Sequence, residues 1–227
     1  MEEAKFEIIK RYVESKEEKA LNECLERLIE RSESIGLGGN AEVFGLNDPH
    51  FGELCVKKIH KIPQMRCNDE ETEFEYQEEI GELGVRVPAL IAYIQNEETK
   101  DKYIIMERIM GPSFEDIIER NVALPENYNH TAFWKELNRQ LKLMHDANIY
   151  HRDLHKGNIM IDKDGGPAII DFGTAGRSWG SEENPYKDAV PMLNSKTGRY
   201  DMASGYFQRD ESKAEWIRGE IAKKLQN

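Results

Sequence analysis

The segment His151-Arg152-Asp153-Leu154-His155-Lys156-Gly157-Asn158, followed thirteen residues later by Asp171-Phe172-Gly173, constrains this chain more than any other feature. A carboxylate and, five residues on, a carboxamide on one tight loop can serve two ends of a reaction. Asp153 is suited to accept or orient a hydroxyl, and the side-chain oxygen of Asn158 suits a hard cation such as Mg2+. Between the two motifs, Ile159-Met160-Ile161 and Ala168-Ile169-Ile170 flank Asp162-Lys163-Asp164-Gly165-Gly166, which signals a hairpin. That hairpin brings Asp171 back beside Asn158 and completes a hard-oxygen site for one or two Mg2+ ions. Either piece alone is explained by ordinary loop and capping residues. Both together, in this order and spacing, are hard to obtain otherwise.

Upstream, Ile35-Gly36-Leu37-Gly38-Gly39-Asn40-Ala41-Glu42-Val43-Phe44 reads as two short strands around a glycine-rich turn, and Leu54 to Ile59 as a third strand. A turn of bare backbone can close over phosphates without side-chain obstruction, although a hairpin needing glycine for positive φ has the same sequence. Ala41 stands where a third glycine would be, and no helix follows at once, which counts against a Walker loop or a dinucleotide fold. Lys57 lies on the third strand among apolar neighbours. It can neutralise nucleotide phosphates if a carboxylate holds it; alone, it also reads as a solvent-facing strand lysine. Asp69 to Glu82 carries eight acids and no base, with Phe74, Gln77, Ile80 and Leu83 on one helical stripe. Gly84 and Pro88 end that helix.

The remaining elements follow from periodicity. Ala89 to Ile94 and Lys102 to Met106 are β-prone runs around the polar turn Asn96 to Asp101. Ser113 caps a helix through Arg120, and Thr131 to His145 forms a longer one with Phe133, Leu137, Leu141 and Met144 inward, leaving at Asn148. Lys213 to Leu225 is a final helix. Met1 to Ser32 reads as helix, with Leu21, Cys24, Leu25, Leu28 and Ile29 in one stripe. The picture is a β-rich first half and a helical second half.

Composition excludes several classes. The 31 basic residues against 43 acidic give a net charge of −12, which disfavours nucleic acid as a partner. No apolar run approaches the roughly 18 residues that span a bilayer, so membrane insertion is not expected. Cys24, Cys55 and Cys67 form no C-x-x-C and leave one cysteine unpaired in any disulfide scheme, which points to a reducing cytoplasm.

From about Ser34 to Phe207 the motifs G-x-G-x-x-A-x-V, L-C-V-K, H-R-D-L-x-x-x-N and D-F-G occur in an order that resembles the eukaryotic-type protein kinase superfamily. The resemblance implies an α+β, bilobal protein kinase-like fold: an N-terminal helical extension over 1–33, a β-rich N-lobe over 34–108, and a shortened helical C-lobe over 109–227. It implies ATP and Mg2+ as cofactors and protein as substrate. Gly36, Leu37, Gly38, Gly39 and Val43 would cover ATP, and Lys57 would hold its α/β-phosphates. Asp153 would be the catalytic base, and Asn158 and Asp171 the metal ligands. The carboxylate paired with Lys57 would be Glu73, judged by its distance from Leu83-Gly84-Val85-x-Val87-Pro88, which resembles RIO-type kinases; Glu75 and Glu78 are alternatives. Met106 takes the gatekeeper place, with Glu107 to Ile109 facing adenine. Asp201-x-x-Ser204-Gly205 resembles the start of the buried helix whose aspartate steadies the catalytic loop.

Departures from the family pattern bear on the acceptor. His155 stands where Ser/Thr kinases carry lysine, with Lys156 one place later. D-L-H-x-G-N is common in atypical, lipid-directed and aminoglycoside-type kinases, whereas Arg152 favours a protein kinase, since such an arginine can grip a phosphorylated loop residue, with Thr174, Ser178 and Ser181 as candidates. No Ala-Pro-Glu follows Gly173 in the remaining 54 residues, as in minimal kinase-fold proteins that include some bacterial effectors. The expectation is an ATP- and Mg2+-dependent Ser/Thr-type protein kinase capable of autophosphorylation. The alternatives are a small-molecule phosphotransferase, or a kinase-fold regulator that engages an activating protein partner.

Overall fold

The computed structural model describes residues 29–37, 41–48, 52–59, 70–95, 102–177, 192–194, 199–201 and 210–225. The expected N-terminal helix before Ile29, the turn residues Gly38 and Gly39, and Ser178 and Ser181 lie outside them. The chain forms two compact units: residues 1–65, 69–78 and 88–110 in the first, and 66–68, 79–87 and 111–227 in the second.

The first unit is built on a five-stranded antiparallel sheet, β1 (Glu33–Leu37), β2 (Ala41–Asp48), β3 (Gly52–Ile59), β4 (Leu90–Gln95) and β5 (Lys102–Glu107), in the order β1-β2-β3-β5-β4. Side chains along a strand alternate between faces. In β3, Leu54 and Val56 turn to one face and join Ile29, Leu46, Ile91, Ala92, Ile94, Tyr103 and Ile105 in a hydrophobic core. Cys55, Lys57 and Ile59 turn to the other. There Ala41, Ile59 and Ile104 form a smaller cluster, covered by Phe74, Leu90, Tyr93 and Met106. Phe74 comes from α1 (Glu70–Glu82), and its ring lies 6.3 Å from that of Tyr93. The helix therefore covers the face of the sheet that carries Lys57.

Cys55 is buried on that face, and its thiol donates to the Glu107 carbonyl at 3.5 Å. Burial pushes the thiol up to about 12, outweighing the nearby Arg108 and Lys57. A thiolate is the reactive form. Cys55 should therefore resist an excess of Ellman's reagent at pH 8 in the folded protein and react within minutes in denaturant, as peptide mapping of the labelled cysteines would read.

The second unit contains α2 (Phe114–Glu119), α3 (His130–Asp146), β6 (Ile149–Tyr150), the hairpin β7 (Ile159–Ile161)–β8 (Pro167–Ile169), β9 (Gly176–Arg177), the pair β10 (Met192–Asn194)–β11 (Arg199–Asp201), and α4 (Asp210–Leu225). Ser113 caps α2 as its sequence suggests: its hydroxyl accepts the Asp116 N–H, while the Asp116 carboxylate accepts the Ser113 N–H. The core is aromatic and aliphatic. Phe114 stacks on Trp134 at 5.4 Å and meets Phe133 edge-on, beside the buried Leu137, Leu141 and Met144 of α3. Asn148 leaves the helix at φ 58. Where the chain enters this unit, a Cβ on Gly111 would lie 1.6 Å from the Ile161 carbonyl oxygen, so only glycine fits.

Two polar pairs brace the hairpin. Gln140 of α3 accepts the Arg86 N–H and donates to the Pro167 carbonyl, and Ile169 N donates to the Arg86 carbonyl. The Arg86 guanidinium donates to the Asp162 carboxylate at 2.6 Å. Burial works against that charge, yet the arginine bond and the Lys163 N–H hold Asp162 below the usual carboxylate range.

Candidate functional site

The expected site residues divide between the two units. In the first, Gly36 and Leu37 lie on β1 and Val43 on β2, where Val43 is paired with Lys57 in the β2–β3 ladder. Leu37 is 79% exposed. Lys57 is buried, and so is Glu73 on α1; Nζ of the lysine meets the Glu73 carboxylate at 2.5 Å. Glu75 and Glu78 are exposed on the same helix. The choice among the three acids follows from helix geometry, because a buried stripe repeats every three or four residues and Glu73, Gln77 and Ile80 occupy it. A buried ion pair gains little net stability over apolar packing. Its presence in this sheet points to a use for the lysine charge.

Met106 packs against the cluster that includes Ile104. Glu107 is tied to the segment before β4: its backbone N–H donates to the Ala89 carbonyl at 2.8 Å, and its carboxylate accepts the Ala89 N–H at 3.1 Å. Ile109, past the end of β5, is buried.

In the second unit the loop after β6 is held from beneath. His151 is fully buried; its Nε2 bonds the Ile170 carbonyl at 3.0 Å and its ring lies 5.2 Å from Phe172. Arg152 and Asp171 both sit in the left-handed region, at φ 67 and φ 66, where a side chain costs roughly 1–3 kcal/mol of strain unless the surroundings enforce it. What enforces it at Arg152 is Asp210. One carboxylate oxygen accepts the His151 N–H at 2.8 Å and the other the Arg152 N–H at 3.2 Å.

Asp153 thereby stands exposed at the head of the loop. Its backbone carbonyl accepts from the buried Asn158 side chain at 3.0 Å, which leaves the Asn158 carboxamide oxygen as the remaining polar atom of that group. The Asn158 carbonyl in turn accepts from Ile170 N at 3.1 Å, one residue before the exposed Asp171. One chain of hydrogen bonds therefore links Asp153, Asn158 and the strand leading into Asp171. The donor set, a carboxylate and a carboxamide oxygen, is the all-oxygen kind that Mg2+ prefers and contains none of the cysteine or histidine ligands on which zinc sites are usually built.

The neighbouring positions are occupied. Lys156 is ion-paired with Glu119 of α2. His155 is exposed, and its Nδ1 accepts the Gly157 N–H at 3.0 Å. The Thr174 hydroxyl donates to the His151 carbonyl at 3.0 Å. The Arg152 guanidinium donates to the Arg177 carbonyl and lies 2.5 Å from the place a Cβ on Gly176 would take.

The aspartate that steadies the loop is a correction to the sequence reading. Asp201 fits the family spacing, but Arg199–Asp201 forms β11, and the carboxylate on the loop belongs to Asp210. The signal was available in the helix: Asp210, Ala214, Ile217 and Ile221 form its single buried face, so an acid begins the inward stripe. His145 also reaches Asp210, at 3.2 Å, and Glu211 at 2.8 Å. Burial disfavours its charge, but the Asp210 hydrogen bond and the two carboxylates prevail and raise it above the ordinary histidine value. A raised folded value means that His145 stabilises the fold fully below the unfolded value of about 6.5 and loses that contribution as pH climbs through the folded one. His145→Gln should therefore flatten the stability change between pH 6 and 8 seen in chemical denaturation of the wild type.

A family model described as protein kinase domain matches residues 29–195, and the chain belongs to that family. It is 34% identical over 142 residues to sperm motility kinase 2B of Mus musculus, covering 62% of this chain and 28% of that protein. It is 31% identical over 166 residues to serine/threonine-protein kinase C of Synechocystis, covering 67% and 30%. The chain thus spans less than a third of the length of these curated relatives. Among solved structures, a chain of the CAK complex from Chaetomium thermophilum bound to ATP-gamma-S aligns with TM-score 0.49 and 24% identity, over 66% of this chain and 47% of that one. Among the described residues no helix is long and apolar enough to cross a membrane.

Proposed function

We propose that the chain is an ATP- and Mg2+-dependent phosphotransferase acting on serine or threonine hydroxyls of proteins. The observation that carries this reading is the hydrogen-bonded run from Asp153 through Asn158 to Ile170, which joins a carboxylate able to take a hydroxyl proton to two hard-oxygen donors. The buried Lys57–Glu73 pair adds a fixed cation for nucleotide phosphates. Glu73 aims the ammonium. Asp153 orients the acceptor hydroxyl and accepts its proton. Asn158 and Asp171 hold Mg2+, which neutralises charge on the transferred phosphate. Positioning and charge neutralisation are most of what phosphoryl transfer asks of a protein. The curated relatives named as serine/threonine kinases support a protein acceptor. In this reading 34–108 is the nucleotide-holding lobe, 109–227 carries the base and metal ligands, and the free, buried Cys55 suits a reducing cytoplasmic setting.

A second reading, a small-molecule phosphotransferase, draws on His155 in the usual lysine place and on the capture of Lys156 by Glu119. Incubation with ATP labelled on its terminal phosphate, Mg2+ and a mixture of casein and a basic protein separates the two. Label on protein, abolished by a chelator, is the expected result. Label confined to a soluble metabolite rejects the protein acceptor.

A further inference from the structure

The buried stripe of α1 contains one residue that apolar packing does not explain. Ile80 is fully buried, and Glu73 holds Lys57. Gln77, between them, is 2% exposed, at a place where leucine or methionine would bury surface without desolvating an amide. Its Nε2 donates to the Pro88 carbonyl at 2.7 Å and reaches the Met106 sulfur at 3.8 Å. Both partners belong to the framework of the first unit: Pro88 leads into β4, where its neighbour Ala89 is clipped twice by Glu107, and Met106 lies on β5. Gln77 thus ties α1 to the sheet through a charge-free, directional contact.

On a helix of 3.6 residues per turn, a position four residues on lies one turn along and only about 40° around the axis. Gln77 therefore sits almost directly beneath Glu73 on the same face. A helix rotates as a body, so whatever fixes the angle of Gln77 fixes that of Glu73. We propose that Gln77 is a positioning residue, a polar latch that sets the rotation of α1 and so keeps the Glu73 carboxylate on Lys57. Apolar contacts from Phe74 hold the helix against the sheet but are non-directional and would permit it to roll. The amide bond forbids the roll. Glutamate at this position would present a second carbonyl-like oxygen to Pro88, and leucine would leave the Pro88 carbonyl without its donor.

The inference rests on the reading of Lys57 and Glu73 as the pair that engages nucleotide phosphate. The test is a double-mutant cycle on the whole chain: wild type, Glu73→Gln, Gln77→Leu and the double variant, each titrated with a fluorescent ATP analogue in Mg2+. If Gln77 acts through Glu73, Gln77→Leu weakens binding roughly tenfold, and the double variant is no weaker than Glu73→Gln alone. Effects that multiply would make Gln77 an independent structural residue and overturn the proposal, as would Gln77→Leu binding like wild type while Glu73→Gln does not. Wild-type affinity in Glu73→Gln would instead remove the nucleotide reading of the pair, and the latch with it. Gln77→Met, which keeps length and flexibility without the donor, replaces Gln77→Leu in the same cycle should the latter fail to fold, with the same expectation.

Discussion

Asp153→Asn is expected to lower the rate of phosphate transfer by roughly 10²–10⁴-fold, the usual loss on removing a positioned general base. The thermal unfolding curve should not move. The two expectations go together because of where the residue sits. The Asp153 side chain is exposed, and its structural duty is carried by its backbone carbonyl, which accepts from Asn158 at 3.0 Å and is retained in the variant. Asparagine is nearly isosteric and cannot take a proton. A large loss of rate with unchanged stability and ATP affinity within a few-fold would identify the carboxylate with the chemical step. A variant that transfers phosphate as fast as wild type would leave Asp153 without a role.

Asp210→Ala should be the most damaging substitution for the fold of the second unit. The side chain is 1% exposed and accepts from two backbone N–H groups and from His145. Removal strands one buried and one part-buried donor and lets Arg152 relax from φ 67. Hydrogen bonds to charged groups contribute about 1.5–3 kcal/mol each; allowing for solvent and relaxation, the net loss should be on the order of 3–5 kcal/mol. For a chain of this size that lowers the apparent Tm by about 6–20 °C. Activity should fall as well, because the geometry of Asp153 depends on the loop that Asp210 holds. The same change at Asp201, the position favoured by family spacing, gives the comparison. If Asp201→Ala were the more harmful of the two, the loop assignment would be wrong.

Local chemistry made much of this molecule legible in its sequence. Apolar, β-prone runs marked β3 to β5, Ser113 marked the start of α2, and Gly165-Gly166 marked the β7–β8 hairpin, each through forces acting within a few residues. The return of the chain from Asn158 to Ile170 was legible for the same reason, since a hairpin short enough to read brings the backbone back to its origin. Long-range polar pairings were not. Nothing between residues 86 and 162 announces that Arg86 will meet Asp162, and Asp210 lies 59 residues from the His151 N–H it accepts. Such pairs are fixed by tertiary packing, which charge pattern alone does not encode. Gln77 was visible on the inward stripe, but its partners, Pro88 and Met106, required the sheet.

The proposal that Lys57 engages nucleotide phosphate and Asp171 engages Mg2+ is tested most directly by calorimetric titration of ATP into wild type, Lys57→Ala and Asp171→Ala, each with Mg2+ and with a chelator. Wild type should bind more tightly with Mg2+ by roughly tenfold or more; Asp171→Ala should lose that gain, and Lys57→Ala should be weaker under both conditions. Binding indifferent to Mg2+ and unaltered by either substitution, or no uptake of ATP by the wild type, would contradict it.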